Sequence, residues 1–169
     1  MRRAAVICCL AVAAAPVQAA DYYFCWQGAN GYTMTGQMSL APLAGESRVA
    51  TEADVTLFRI AGFLNGDLLG KWDAMARDPD DTWFLNFDVD AMSFLTPEQL
   101  GAGISQAWNA NGDTDNCGTP GFGFNLGNYA QDFCLNSTWV VDSGVPPETP
   151  FVAGTLPIDP SCRVYSPMS

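Results

Sequence analysis

The sequence predicts an all-β protein, a single-domain antiparallel β-sandwich with a β-barrel as the alternative. Several short segments alternate apolar and polar residues with period two, as half-buried strands do. Turn-forming residues separate these segments, including many of the 16 glycines, and no long segment shows the 3.6-residue period of a helix. We count about nine or ten short strands and at most one or two helical turns.

The first two strands are predicted to form a hairpin. The segment DYYFCWQG is aromatic and strand-like, and the ANG that follows is a turn signal. The next segment, YTMTGQMSL, places Met34 and Met38 on one face and threonines on the other. Gly36 falls on the apolar face, which predicts a bulge or a close neighbour there.

The central part of the chain predicts a second hairpin and two helical turns. Asn65-Gly66 separates RIAGFL from DLLGKW, and Asn-Gly between apolar runs is a strong hairpin signal. Thr51 with Asp54 predicts a capped helical turn. TPEQL predicts another, with threonine as the cap and proline at the first helical position.

The other strands follow from alternation and turn signals. WFLNFDV is predicted to be one strand, with Trp83, Leu85, Phe87 and Val89 facing the core and Phe84, Asn86 and Asp88 facing outward. ISQAW, GFGFNL, DFCL and TWVVD are predicted to be further strands. FVAGTLPI is predicted to be a last strand at a sheet edge.

The N-terminal residues predict export. Arg2 and Arg3 precede an apolar run that is short for a membrane span, and VQA supplies small residues for a cleavage site. We predict cleavage after Ala19, with Ala20 as the alternative position, and a secreted or periplasmic protein. The domain division is a signal peptide over 1–19, one β domain over 20–162 and a loose tail over 163–169.

The mature chain is strongly acidic. Without Arg2 and Arg3, five of the seven basic residues remain against 18 acidic ones, a net charge of −13. Such a chain has no electrostatic attraction for nucleic acid or for an anionic membrane. We therefore expect no nucleic-acid partner and no membrane insertion of the mature chain, whereas the oligomeric state is left open.

Four cysteines remain after the signal peptide. An even number of cysteines in an exported chain predicts two disulfides, for which three pairings exist. We predict that Cys117–Cys134 closes a hairpin-like segment and that Cys25–Cys162 ties the first strand to the C-terminal tail. A zinc site is not expected, because the chain has no CxxC and no histidine.

The absence of histidine narrows the possible chemistry. It excludes Ser-His-Asp and Cys-His catalysis as well as histidine-ligated metal sites. A carboxylate-based hydrolase remains as a hypothesis, because Asp88 and Asp90 would share a face if both lay on one strand. We recognise no catalytic motif and expect a protein that is not an enzyme.

The segment NANGDTDNCG over 109–118 leaves two interpretations. Asn111, Asp113 and Asp115 follow the 1, 3, 5 ligand spacing of calcium loops. Phe122 stands where such loops have a bidentate glutamate, so a further ligand would have to come from elsewhere, with Asp132 as the candidate. The alternative is a polar loop held by the Cys117 disulfide, and we favour it over a calcium cofactor.

Four quoted segments carry a resemblance to a protein family: YYFCWQGANGYTMTGQMSL, TEADVTLFRIAGFLNGDLLGKWD, WFLNFDV and SQAWNANG. In this order they resemble the body of secreted bacterial β-rich proteins often found with a PEP-CTERM sorting signal. The resemblance implies an exported β-rich protein and supplies no catalytic residues. The residues LPIDPSCRVYSPMS contain no Pro-Glu-Pro motif, apolar span or basic tail of such a signal.

Aromatic content favours a binding function. Exposed aromatic rings stack on sugar faces, although most aromatic residues at period two fill a core. The candidates for ligand stacking are Trp26, Trp72, Trp108 and Trp139. We predict an exported, non-catalytic module that binds a glycan, a matrix polymer or an extracellular partner protein. The first alternative is a structural or assembly protein of the envelope or matrix.

Overall fold

The fold is known from a computed structural model that describes residues 19–43, 45, 47–111, 117–159 and 161–163. The strands of the first half are β1 (Ala20–Gln27), β2 (Tyr32–Leu40), β3 (Val49–Thr51), β4 (Val55–Leu64), β5 (Asp67–Asp73), β6 (Trp83–Phe84) and β7 (Asn86–Asp88). Those of the second half are β8 (Ser93–Phe94), β9 (Ile104–Trp108), β10 (Phe122–Gly127), β11 (Gln131–Leu135), β12 (Thr138–Val145) and β13 (Phe151–Gly154). The helical segments are α1 (Pro97–Leu100) and two 3₁₀ turns, Glu52–Asp54 and Ala74–Ala76.

These strands form two antiparallel sheets, which confirms the predicted all-β class. One sheet has eight strands in the order β3-β7-β8-β13-β1-β2-β4-β5. The other has five strands in the order β12-β11-β10-β9-β6. The eight-stranded sheet curls as a half-barrel, so the architecture is intermediate between the sandwich and the barrel that the sequence predicts.

The first hairpin is as predicted, and it explains Gly36. Phe24 on β1 lies directly opposite Gly36 on β2. A Cβ at Gly36 would lie 2.1 Å from Cζ of Phe24, so the phenyl ring occupies the space of the missing side chain. The close neighbour expected at this glycine is therefore confirmed, and no side chain larger than hydrogen fits beneath the ring.

The second hairpin and both helical turns also agree with the sequence. Asn65 and Gly66 have φ values of 51° and 93°, the positive angles that an Asn-Gly hairpin turn requires. The backbone N–H of Thr51 donates to the Asp54 carboxylate at 2.9 Å, at the start of the first 3₁₀ turn. Thr96 and Gln99 cap the N-terminus of α1 reciprocally.

One predicted strand is wrong as a single element. The segment WFLNFDV divides at Leu85, because β6 pairs with β9 in the five-stranded sheet, whereas β7 pairs with β3 and β8 in the other sheet. Asn86, predicted to face outward, is buried and donates through Nδ2 to the Ser105 carbonyl. Trp83 packs against the core but is only partly buried.

Gln106 joins the two sheets where the chain crosses between them. Its buried side chain donates through Nε2 to the carbonyls of Asn86 at 2.8 Å and Leu95 at 3.0 Å. Its Oε1 accepts from the Asn86 backbone N–H at 3.1 Å. One amide thus contacts three backbone groups at the crossing, of which the Asn86 carbonyl also accepts from the Leu95 N–H at 3.0 Å.

The last strand is also placed differently from the prediction. β13 lies inside the eight-stranded sheet, paired with β1 on one side and with β8 on the other. Apolar alternation cannot distinguish an edge strand from an internal one, because both bury one face. The edges of this sheet are β3 and β5 instead.

The core is an aromatic cluster between the two sheets. Trp108 lies among the rings of Phe24, Phe58, Phe94 and Phe124, with centroid separations of 4.7 to 5.8 Å. Most of these contacts are edge-on or tilted, the arrangements that ring quadrupoles favour. Phe122 closes one end of the cluster by packing against Gly62 and Gly70 of the opposite sheet.

Both predicted disulfides are confirmed. Cys25 is bonded to Cys162 and Cys117 to Cys134, with Cα–Cα distances of 5.4 Å and 6.0 Å. Disulfides are typical of oxidising compartments such as the periplasm or the extracellular space. Among the residues with described positions, no helix has the length and apolar character needed to cross a membrane. The predicted signal peptide lies almost wholly outside the described residues.

Candidate functional site

A cleft opens on the outer face of the five-stranded sheet, away from the aromatic core. Period-two alternation turns Phe124 of β10 and Phe133 of β11 inward, and it turns Asn125 and Asp132 outward. The cleft has a volume of about 490 Å³, which lies in the usual range for small-ligand sites.

The floor of the cleft is a polar pair. Asn125 and Asp132 are direct partners in the register of β10 and β11, and Nδ2 of Asn125 donates to Oδ1 of Asp132 at 3.4 Å. Asn125 is only 6% exposed, and its Oδ1 has no hydrogen-bond partner among the described residues. A buried acceptor without a donor costs free energy, so this oxygen is a place where a ligand donor would be stabilised.

The environment of the cleft also changes the acidity of Asp132. Desolvation by burial raises the pKa of Asp132 to about 6, and the hydrogen bond from Asn125 offsets part of this rise. The carboxyl is therefore mostly ionised at pH 7 and mostly protonated below pH 5. Titratable groups with such shifts in a cleft are typical of functional sites, although structural burial alone can produce them.

Two exposed apolar side chains rise beside this floor. Tyr129 is 98% exposed in the turn between β10 and β11, and Val141 is 80% exposed on β12. Val141 lies in a bulge, because the register of β11 and β12 shifts between Gln131 and Phe133. Ser143 fixes this bulge, since its hydroxyl accepts from the Phe133 N–H at 3.0 Å and donates to the Val140 carbonyl at 2.7 Å.

Trp139 forms a further wall, and the short disulfide holds it in place. It is the register partner of Cys134 on β11, and it packs on a small cluster of Ala110, Cys117 and Cys134. Asn109 supports the same loop by donating through Nδ2 to the carbonyls of Cys117 and Phe122, each at 3.0 Å. The disulfide therefore places an indole next to the polar pair.

The calcium hypothesis concerns the same loop, and the structure describes only some of the residues involved. Asp113 and Asp115 lie outside the described residues, and Asn111 lies at the boundary. Asp132, the candidate for a further ligand, is on the cleft floor. Within the described ranges, no group of three or more cysteine and acidic side chains is arranged to hold a metal ion. Calcium binding stays an untested prediction.

Three of the four tryptophans considered for ligand stacking are buried, which corrects the expectation for them. Trp26, Trp72 and Trp108 all belong to the core cluster. The indole N–H of Trp26 donates to Oε1 of Gln131 at 2.8 Å, and that of Trp72 donates to Asp81 at 3.2 Å. Most aromatic residues at period two fill a core, and of these four tryptophans only Trp139 lines the cleft around Asn125 and Asp132.

The carboxylate pair of the hydrolase hypothesis is not arranged as predicted. β7 ends at Asp88, so Asp88 and Asp90 do not share a strand face. Asp88 Oδ1 accepts from the backbone N–H groups of Asp90 and Ala91, both at 2.9 Å, and thereby closes a turn. Asp90 forms an exposed ion pair with Arg48. Each carboxylate thus has a structural role.

The sequence gives some indication of the cleft residues, although it singles out only Trp139 and, as a possible calcium ligand, Asp132. Alternation along GFGFNL and DFCL places Asn125 and Asp132 on the outward face, where polar side chains need no explanation. The cleft that contains them is completed by side chains of β12, Trp139 and Val141, and this neighbourhood is a tertiary feature. Tyr129 follows Asn128, and this local sequence is typical of an ordinary turn.

Comparison of the chain with protein-family models, with curated proteins and with solved structures finds no match. Function therefore has to be inferred from the chemistry of the cleft.

Proposed function

We propose that the protein is an exported, non-catalytic glycan-binding module and that the cleft around Asn125 and Asp132 is its binding site. The observation that carries this proposal is the combination of aromatic side chains with a polar floor that contains an unsatisfied acceptor. Tyr129 and Trp139 supply the rings. Asn125 and Asp132 supply the hydrogen-bonding groups.

A sugar ring matches this combination chemically. A pyranose has an apolar face of C–H groups and an equatorial set of hydroxyls, so it can stack on an aromatic ring while its edge forms hydrogen bonds. A carboxylate accepts several hydrogen bonds, and a primary amide both donates and accepts. An apolar ligand would leave the Asn125 oxygen unsatisfied and would bury the Asp132 charge without a partner.

The setting of the cleft supports the same proposal. Two disulfides suit an exported chain, which meets polysaccharides of the envelope and the extracellular matrix. The bulge and the short disulfide hold the cleft walls without a ligand. Such preorganisation lowers the entropy cost of binding, since fewer side chains must be ordered.

The test is a titration of the disulfide-bonded protein with a panel of soluble glycans, followed by tryptophan fluorescence and calorimetry. We expect at least one glycan to change the emission of Trp139, because the other tryptophans are buried or partly buried in the core. In Trp139→Phe the fluorescence response should disappear, while calorimetry still detects weakened binding. A panel of neutral, acidic and amino glycans that gives no heat and no emission change would reject the proposal.

A further inference from the structure

The cleft continues into a second cavity. This neighbour has a volume of about 370 Å³ and extends towards α1 and the segment that follows β12. Gly103 and Asn128 line both cavities, and the Asn128 backbone N–H donates to the Gly103 carbonyl at 2.9 Å. The two cavities therefore adjoin at Gly103 and Asn128, with the Asn125–Asp132 pair in one and α1 beside the other. We call the adjoining cavities the groove and Gly103 its saddle.

The charged side chains that line the groove are carboxylates. Asp132 lines the first cavity, and the exposed Glu98 and Glu148 line the second. Among the residues that the structure describes, no lysine or arginine lines either cavity. The two salt bridges found among the described residues, Arg48–Asp90 and Arg59–Asp73, involve none of these three carboxylates. An anionic polysaccharide would be repelled along this groove, and a cationic one attracted.

The buried amide on the floor points to a ligand that donates hydrogen bonds. Asn125 is 94% buried, and its Oδ1 has no partner. An ionised Asp132 has no proton to give, so a donor for that oxygen comes from water or from a bound group. An ammonium group offers three donors and no acceptor, which suits a carboxylate beside an unsatisfied amide oxygen.

From these features we infer that the groove binds a linear glycan with free amino groups, a polymer of 2-amino-2-deoxy sugars, with the chain crossing the saddle at Gly103. This inference rests on the proposed glycan-binding function and specifies its ligand. One amino sugar contacts Asn125 and Asp132 beside the aromatic walls. Further units reach Glu98 and Glu148. Because the groove extends on both sides of the saddle, it accepts an internal stretch of the chain.

The experiment compares glucosamine oligomers with their N-acetylated counterparts by calorimetry on the disulfide-bonded protein. N-acetylation removes the positive charge and keeps the sugar ring. We expect the glucosamine hexamer to bind about fivefold or more tighter than both the glucosamine dimer and the N-acetylated hexamer. High salt should reduce this preference, because exposed charges are screened.

Two variants separate the length effect from the charge effect. Glu98 and Glu148 are both exposed. In the variant Glu98→Gln/Glu148→Gln, the affinity advantage of the hexamer over the dimer should fall to within about twofold. Gly103→Val adds a side chain at the saddle without a positive φ at this glycine. It should weaken binding of the hexamer more than binding of the dimer, because only the hexamer crosses Gly103. Thermal melting shows whether each variant is folded.

Each other outcome has a defined meaning. Equal binding of glucosamine and N-acetylglucosamine oligomers would overturn the inference and leave glycan binding intact. The same holds if the dimer and the hexamer bind equally in the unmodified protein. Binding of oligolysine as tight as that of the glucosamine hexamer would also overturn it, because charge alone would then suffice. If no glycan binds at all, the proposed function fails together with the inference.

Discussion

Asn125 and Asp132 face each other across β10 and β11, and the amide of Asn125 donates to the Asp132 carboxylate at 3.4 Å. The amide oxygen on the other side of this contact has no donor. In the free protein the pair is thus incompletely satisfied, at a position where a cleft admits a ligand. This relationship links the stability of the fold to the proposed function. The unsatisfied amide oxygen that would favour ligand binding also lowers the stability of the protein without a ligand.

The first prediction concerns the pH dependence of stability. The folded-state pKa of Asp132 is about 6 and lies above the ordinary aspartate value of 3.8, because burial disfavours the ionised form. A raised carboxyl pKa makes no difference below pH 3.8 and lowers stability as pH rises through 6. Asp132→Asn removes this penalty and provides an amide donor for Asn125. We expect the variant to be more stable at pH 7.5 by on the order of 1 kcal/mol, allowing for partial solvent screening.

The measurement is the difference in melting temperature between Asp132→Asn and the unmodified protein at pH 4 and at pH 7.5. The difference should grow by about 2–4 °C towards the higher pH. Comparing the two proteins at each pH cancels the titration of the other carboxylates. A difference that stays constant across this range would show that Asp132 titrates normally.

The second prediction is that the two disulfides differ in their effects on stability and on ligand binding. Cys25–Cys162 closes 137 residues and Cys117–Cys134 closes 17. Chain-entropy estimates give about 5 and about 3 kcal/mol for such loops. Replacing both cysteines of a pair by alanine should therefore destabilise the protein more for Cys25–Cys162, which closes the longer loop, than for Cys117–Cys134. Ligand binding should show the opposite order, because only Cys117–Cys134 packs against Trp139.

Urea unfolding and glycan calorimetry on the two double variants provide both readouts. The variant lacking Cys117–Cys134 should lose ligand affinity although it keeps the larger share of stability. If both variants bind equally well while folded, the short disulfide does not position the cleft.

The third prediction concerns the glycine beneath Phe24. Gly36→Ala places a methyl group 2.1 Å from a ring carbon, and the ring cannot move freely within the aromatic core. Overpacking of this kind costs about 1–3 kcal/mol. Gly154→Ala is the matched control, because a Cβ there meets nothing within 4 Å and φ is not positive. Denaturant unfolding should show a loss only for Gly36→Ala, and equal losses would contradict the close packing described.

The fourth prediction concerns the junction of the two sheets. Gln106→Met keeps a side chain of similar volume but removes the hydrogen bonds to Asn86 and Leu95. Each buried backbone group left unsatisfied costs about 1–3 kcal/mol, so the total loss should exceed about 2 kcal/mol. Leu126→Met, at the register partner of Gln106, is a volume-conserving control that should cost less than about 1.5 kcal/mol. Similar losses in both variants would assign Gln106 a packing role only.

Local signals in the sequence predicted local features well. The Asn-Gly turn at 65–66 and the cap at Thr96 depend on residues that adjoin in the chain, and both are present. The disulfide pairing was also correct, since a short loop and a tie between the two ends suit two cysteine pairs. The turn and the cap require no knowledge of the tertiary arrangement, and for the disulfides the choice lay among only three pairings.

Features that depend on distant contacts could not be predicted in the same way. The alternation of WFLNFDV continues through Leu85, although the chain passes from one sheet to the other there. The pattern does not change, because both sheets turn apolar side chains towards the same core. The cleft was missed for a related reason. Asp132 is an ordinary outward residue by alternation, and only the tertiary fold places Trp139 and the bulge at Val141 around the same cleft. Alternation predicts which face a residue occupies, but it does not predict what covers that face.

The central claim is that the cleft on the five-stranded sheet binds a glycan. It is tested most directly by comparing Tyr129→Ala with Phe84→Ala in calorimetric titrations with the best ligand of the panel. Tyr129 is 98% exposed at the cleft, so its loss removes no packing from the fold. Phe84 is 37% exposed and shares the outward row of Ala107 and Asn125 at the opposite edge of the same sheet.

Loss of the Tyr129 ring should weaken binding about tenfold, and loss of the Phe84 ring should leave affinity unchanged. Both variants should melt close to the unmodified protein. Equal affinities in all three proteins, or a loss confined to Phe84→Ala, would contradict the assignment of the cleft as the glycan-binding site.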